Sequence, residues 1–410
     1  MVFKLKILIV ADVSSIHSGR FIDFLGKTQS DIRVFPSSDT NLIDDHLVNH
    51  VLYKTRKSAG PLEVSRIHLR RSYLYSTFVH LKIRFRRVAQ KLFGNSTKKF
   101  DYTDRVKNLV YVLKDWNPDL VISLKLQNEG YLVAESLKFL STLKRPKWMH
   151  FLWGTDIEFF AKNIDFKKTH LGRVKYSISS CDFLMADTNR DTRQANQYGF
   201  KGKDFGRMIA TGGFSKEEFN LKRITHEDRR TILVKGRDGD LVGRAKFVLS
   251  SLEILGHQLD GYQIVVIMAT KEVRAEVDRI SKQGTLDICC APRVSYPELL
   301  GYFAKSCVSI SATTVDGLPL FLAESMFMGA FPIHSNMDSI REWIVDGENG
   351  NLFDIKDEGK LAKIILNAVL DSEMRYNAEE INRKISEIYF SKDANVEKFS
   401  EILMFIEKAL

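Results

Sequence analysis

Two doubly wound, Rossmann-like α/β domains facing across a cleft are predicted by three observations. Short apolar runs of strand length recur along the chain, separated by segments long enough for helices. The pattern breaks once near the middle and then restarts. The 410 residues also exceed what one hydrophobic core usually supports. With 44% apolar and 27% charged residues, the composition is that of a globular chain and excludes wholesale disorder.

Lys6 to Ala11 (KILIVA) reads as the first strand. A polar loop follows from Asp12 to Gly19, and Arg20 to Lys27 has helical spacing, with Phe21, Phe24 and Leu25 on one side. Ile32 to Phe35 is a second strand ended by Pro36. Asn108 to Lys114 reads as helix, and Asp119 to Ser123 (DLVIS) as a strand buried on both faces. Trp148 to Leu152, Phe183 to Ala186 and Met208 to Ala210 continue the series of strands. Gly212-Gly213 and the charge-dense stretch Lys216 to Arg230 mark the break. The second series comprises strand Thr231 to Lys235, helix Ala245 to Leu255, and strands Gln263 to Met268, Leu286 to Cys290, Val308 to Ser311 and Phe331 to His334. These boundaries give a first domain over 1–217, a linker over 218–230 and a second domain over 231–385. A C-terminal helix over 386–410 is expected to pack back on the first domain.

Charge and cysteine content narrow the compartment. Met1 to Val10 is too short for a signal-peptide core, and no run of 18 apolar residues lacks charge, so a cytoplasmic protein without a spanning segment is expected. Cys181, Cys289, Cys290 and Cys307 show no pairing or metal-ligand spacing and read as reduced, mostly buried thiols. The net charge of +10 is concentrated between Val51 and Phe100, where 13 Lys plus Arg face the single acid Glu63.

The segment from Asp316 to Pro332 (DGLPLFLAESMFMGAFP) carries the most chemistry. A polar loop after the strand Val308 to Ser311 leads to Pro319, which suits the first helical position, and Leu320 to Met328 forms an apolar helix ended by Gly329. The N-terminus of such a helix offers unpaired N–H groups and positive partial charge to a phosphate. Helical rise places Asp316 and Glu324 about 8–10 Å apart, the reach of a sugar joined to a ribose.

This segment resembles the donor-site signature of family 4 glycosyltransferases, in which two acids are separated by seven intervening residues. Asp316 and Glu324 keep that spacing, and Gly317, Pro319, Met326, Gly329 and Pro332 fall where the family has its usual residues. Downstream, Glu342-Trp-Ile-Val-Asp346-Gly347-Glu-Asn349-Gly350-Asn-Leu352 resembles the family's tail, and upstream Lys235-Gly236-Arg237 resembles its phosphate-contacting turn. The resemblance implies the GT-B architecture and a retaining, metal-independent hexosyltransferase. Its donor would be a UDP- or GDP-linked sugar, a substrate rather than a cofactor, and no cofactor is implied.

By the same resemblance, Glu324 binds the ribose hydroxyls and Asp316 the transferred sugar. The backbone of Gly317, Leu318, Pro319 and Leu320 contacts sugar and diphosphate, and Arg237 stabilises the leaving charge. Lys235, Arg244 and Gly19 join the phosphate surroundings, and Arg293 and Val294 line the base pocket. In the first domain, Asp156 after Trp153-Gly154-Thr155 is the candidate for orienting acceptor or donor, and His17, in the loop after the first strand, for approaching the acceptor hydroxyl. Two departures stand out: the first acid is Asp316 where the family usually has Glu, and Val242 occupies the usual place of a lysine that Arg244 or Lys246 replaces.

In the basic block, Arg70, Arg71, Arg84, Arg86 and Arg87 interleave with Tyr73, Tyr75, Phe78 and Phe85, a mix that suits an anionic membrane surface at about 1 kcal/mol per basic residue. Sugar chemistry makes a glycan or lipid-linked acceptor the expected partner, with the protein peripheral on the inner face of the cytoplasmic membrane, making surface polysaccharide or glycolipid. Nucleic acid is not expected. The alternatives are a sugar-nucleotide epimerase of the same fold, for which no extra acid/base motif is visible, and a non-catalytic subunit that binds nucleotide-sugar or membrane.

Overall fold

A computed structural model describes residues 5–28, 30–38, 44–47, 50–53, 64–66, 102–142, 145–162, 164–219, 225–239 and 243–410. The first domain is an eight-stranded sheet of β1 (Lys6–Ala11), β2 (Asp31–Pro36), β3 (Val51–Tyr53), β4 (Val64–Arg66), β5 (Leu120–Leu124), β6 (Lys147–Leu152), β7 (Phe183–Ala186) and β8 (Lys203–Arg207). Its order is β4-β3-β2-β1-β5-β6-β7-β8, parallel throughout except for β4 on β3. Parallel strands are covered on both faces, and β1 shows why its sequence is almost continuously apolar. Leu8 and Val10 enter one hydrophobic cluster, and Ile7 and Ile9 enter the other.

The second domain contains β9 (Thr231–Lys235), a small hairpin of β10 (Asp238–Gly239) and β11 (Gly243–Arg244), and then β12 (Gln263–Ile267), β13 (Ile288–Cys290), β14 (Ser306–Ser311), β15 (Phe331–Ser335) and β16 (Asn351–Phe353). Apart from the hairpin these form one parallel sheet, ordered β13-β12-β9-β14-β15-β16. Both sheets reverse direction of growth beside their first strand, and such switch points open crevices at the C-terminal strand ends.

After the second sheet the chain returns to the first domain. Phe214 and Ser391 form a β-bridge, and the helix Lys392–Lys408 buries Phe399, Ile402, Leu403 and Ile406 in the cluster that holds Ile7, Phe21 and Phe24. Phe399 meets the rings of Phe21 and Phe24 at 6.1 and 5.9 Å, and Lys398 Nζ donates to the Arg207 carbonyl at 2.6 Å.

Three expectations change. The strand expected at Met208 to Ala210 lies earlier, at Lys203–Arg207. It is an edge strand with polar, partly exposed residues (KDFGR), so no apolar run marks it, whereas Met208 and Ile209 are buried because the chain turns inward there. Pro319 occupies the N-cap rather than the first helical position, with φ −61° and ψ 129°, while the helix itself spans Leu320–Met328 as expected. Cys181 and Cys307 are buried, but Cys289 is exposed because β13 is an edge strand. Arg70, Arg71, Arg84, Arg86 and Arg87 lie outside the described residues. Among the described residues no helix is long and apolar enough to cross a membrane.

Candidate functional site

The loops at the C-terminal ends of β1, β5, β6 and β7 face those after β9, β13 and β14, and the two sets touch. Gly154 lies against Gly317: a Cβ built on Gly154 would lie 1.8 Å from the Gly317 Cα. No side chain fits there, so glycine at both positions lets the two backbones meet.

On the second domain, Gly329 ends the helix Leu320–Met328 in the left-handed conformation, at φ 80°. Glu324 is buried on this helix, and burial pushes its carboxyl up to about 7, against the pull of Arg20 and the Tyr296 hydroxyl. The Arg20 guanidinium lies 4.4 Å from the Tyr296 ring centroid and pairs with Glu218 at 3.5 Å. Tyr296 opens the helix Tyr296–Lys305, whose N-cap Ser295 and Glu298 form a reciprocal capping box. Among the described residues the buried Tyr296 hydroxyl makes no hydrogen bond of ordinary geometry, and burial raises its pKa.

Asp316 sits in the loop before that helix, its Oδ1 accepting the Gly317 N–H at 3.0 Å. Burial raises its pKa and Lys235 opposes the rise; burial in turn lowers the Lys235 pKa, and Asp316 opposes that. Lys235, at the end of β9, and Asp316 are thus close enough to feel one another's charge. Arg237 is exposed just beyond Gly236. Arg244 Nη1 donates to the carbonyls of Gly239 and Gly243 at 3.0 and 2.9 Å, bracing its own hairpin. Arg293 is exposed and Val294 half-buried in the loop before Tyr296, while Gly317, Leu318 and Pro319 are buried and Leu320 half-buried.

On the first domain, His17 opens onto the cleft and its ring meets Trp153 edge-on at 6.2 Å. Solvent reaches the ring, yet both domains crowd it. That desolvation, with Lys125 and Arg20 nearby, lowers its pKa to about 4, so the imidazole is neutral near pH 7. Gly19 lies within the helix Ile16–Leu25, and a Cβ there would come 2.3 Å from Asp44 Oδ1. Asp156 is buried, and its Oδ2 accepts the N–H groups of Leu126 and Trp153 at 2.9 and 3.0 Å. It ties the loops after β5 and β6 together, and burial pushes its pKa up to about 7.

The structure adds residues that sequence reading left unassigned. Arg190 Nη1 donates to the Asp316 carbonyl at 2.8 Å and Nη2 to the Gly154 carbonyl at 2.6 Å, joining the domains at the site. Asp187 Oδ2 accepts from Gly154 N at 3.3 Å and Leu318 N at 3.4 Å. Burial raises the Asp187 pKa well above the usual carboxylate range, and the nearby Asp191 and Asp316 add to the rise. No motif marked these residues. Only Glu342, within the family-like tail, had a sequence signal, and nothing in it told the role.

Geometry and similarity agree on the architecture. Residues 216–385 match the family model described as Glycosyl transferases group 1. No curated protein sequence matches the chain. Among solved structures, the sucrose-phosphate synthase of Thermosynechococcus elongatus superposes with a TM-score of 0.70 at 12% identity, covering 99% of this chain and 100% of that one. The fold is GT-B. Anabaena HepE in complex with UDP and glucose gives 0.67 at 14% identity, covering 98% and 99% of the two chains. The apo lipopolysaccharide outer core galactosyltransferase WaaB gives 0.63 at 15%, also covering 98% and 99%. The family match over the second domain and the GT-B fold support a glycosyltransferase.

Proposed function

We propose that this protein is a retaining glycosyltransferase that moves a sugar from a UDP- or GDP-linked donor to a glycan or lipid-linked acceptor. The observation carrying this reading is the meeting of Lys235, Asp316 and Glu324 on the second domain with Arg20 and Tyr296, at the point where the domains touch. Glu324 would take the ribose hydroxyls and Asp316 a hydroxyl of the sugar. Lys235, Arg237 and the N-terminus of Leu320–Met328 would stabilise the diphosphate as it leaves, which supplies charge neutralisation without requiring a metal. His17, neutral near pH 7, would accept or orient the acceptor hydroxyl's proton. The membrane association expected of the basic block belongs to this proposal, since a lipid-linked acceptor would reside there.

Nucleotide-sugars offered to the wild type should be turned over, and NMR of the product should show the donor's anomeric configuration kept. Glu324→Ala should cut turnover by about 100-fold or more, the usual scale for removing one positioned polar group. Undiminished turnover in that variant would sink the donor-site assignment, and an inverted product would sink retention.

A further inference from the structure

On the first domain's side of the cleft, the chain leaves β5 through a backbone conformation that belongs to glycine, yet the residue is lysine. Lys125 has φ 78° and ψ 155°, and Asn128, three residues on, has φ 68°. Such a geometry persists only where the surroundings enforce it. Here Lys125 N donates to the Phe151 carbonyl at 3.1 Å, and Leu126 N to Asp156 Oδ2 at 2.9 Å. Gln127 Nε2 reaches the Asp156 carbonyl at 2.7 Å, and Gly130 N closes the loop on the Lys125 carbonyl at 3.1 Å.

The result is a placed ammonium. Lys125 Nζ lies 4.9 Å from the Trp153 ring centroid, on the indole that His17 also meets, and its charge helps to keep His17 neutral. Among the described residues no carboxylate is ion-paired with Lys125. The two acids that feel its charge, Glu129 and Asp156, are buried, and burial pushes their pKa values up to about 8 and about 7, so they do not fully neutralise it near pH 7. Two other cations of the described cleft are engaged nearer the second domain: Arg20 with Tyr296 and Glu218, and Lys235 with Asp316. Lys125 is a cation held at the cost of local strain on the side where the second substrate must enter.

We propose that Lys125 binds an oxyanion carried by the acceptor, a carboxylate or a phosphate, so that the acceptor is an acidic or phosphorylated saccharide. This rests on the donor occupying the second domain, as proposed above. Trp153 and the neutral His17 would border the same subsite, and the cation would fix the acceptor's orientation rather than take part in bond making.

The test uses three probes in the presence of UDP: methyl glucoside, methyl glucuronoside and methyl glucoside 6-phosphate, with dissociation constants read by NMR titration. The wild type should bind one charged probe at least about tenfold more tightly than the neutral one, the value of one charge-assisted hydrogen bond. Which probe wins tells carboxylate from phosphate. The preference should fall towards one in Lys125→Ala and return in Lys125→Arg. Lys125→Gly should lose the preference while raising the thermal midpoint, an outcome a merely structural lysine would not give. Equal or absent binding of all three probes by the wild type, or a parallel loss for neutral and charged probes in Lys125→Ala, overturns the proposal. So does a loss of UDP affinity in Lys125→Ala, which would assign the cation to the donor. UDP and GDP titrations of the wild type alone report separately on the donor reading.

Discussion

Glu342 of the second domain accepts the backbone N–H groups of Asn189 and Arg190 of the first, at 2.7 Å each. Those two groups open the helix Asn189–Gln197, so a carboxylate from one domain occupies the positive helix end of the other. Arg193 and Arg207 stand 3.8 and 3.5 Å from the same carboxylate, and it is largely buried. Hydrogen bonds to a charged group contribute about 1.5–3 kcal/mol each. Glu342→Ala should therefore loosen the interface, and small-angle scattering should show a larger radius of gyration than the wild type. An unchanged profile would mean that the contact does not hold the domains together.

The reach and the limits of sequence reading follow from which contacts are local. The strands Thr231–Lys235 and Phe183–Ala186 and the helix Ala245–Leu255 were legible because burial on two faces, or on one helical stripe, imposes an apolar pattern on consecutive residues. Asp316 and Glu324 could be proposed from the sequence for a related reason, since a loop and the helix it enters fix their spacing within one short segment. Arg190 was not. Its use depends on the carbonyls of Asp316 and Gly154, 126 and 36 residues away, and an arginine at the start of a helix looks like any solvated one. Lys125 was hidden differently, because a side chain gives no sign that its own backbone adopts a glycine-like angle. Edge strand β8 was missed because its exposed face removes the alternation that marks strands.

Glu129 predicts a pH dependence of stability. Its carboxyl is buried beside Ser37, whose hydroxyl donates to Oε1 at 2.5 Å, while Oε2 has no hydrogen-bond partner among the described residues. Burial raises the pKa to about 8 from an ordinary 4.5. Between those values the folded chain holds a proton that the unfolded chain has lost, so the contribution of this group to stability falls as pH rises from about 4.5 to 8. The slope approaches about 1.4 kcal/mol per pH unit for one group. Glu129→Gln keeps an acceptor for Ser37 and removes the titration. Chemical denaturation at pH 5 and pH 8.5 should show the variant gaining on the wild type at the higher pH; a constant difference would place the proton elsewhere.

Arg20 should act on the donor site through its neighbours. It stacks on Tyr296 and lowers the pKa of Glu324, which burial has raised to about 7. Without Arg20, Glu324 ionises at still higher pH. The pH dependence of nucleotide affinity in Arg20→Ala should therefore move upward relative to the wild type. Lysine cannot reproduce a planar stack, so Arg20→Lys should restore the charge effect but not the cation–π contact, worth about 0.5–2 kcal/mol. A pH profile identical in all three proteins would remove Arg20 from any role at Glu324.

The last prediction concerns Gly154 and Gly317, whose backbones meet across the domain interface. Neither has a φ in the left-handed region, so alanine is compatible with the local chain at each position. What alanine cannot do is share the space: the new methyl at 154 would lie 1.8 Å from the Gly317 Cα and 1.9 Å from its nitrogen. Backbone on both sides cannot yield as a flexible side chain would, so the domains must separate. Separation would also lengthen the bonds from Arg190 to Asp316 and from Asp187 to Leu318, which bridge the same junction. Gly154→Ala should leave each domain folded, with nucleotide affinity little changed because the donor contacts proposed lie mainly on the second domain. Transfer, which needs both domains, should fall by about 100-fold, the scale of a misplacement near 1 Å. Calorimetry of nucleotide binding beside transfer kinetics separates the two effects. Equal loss of binding and transfer would mean that the glycine contact shapes the donor pocket itself rather than the approach of the domains.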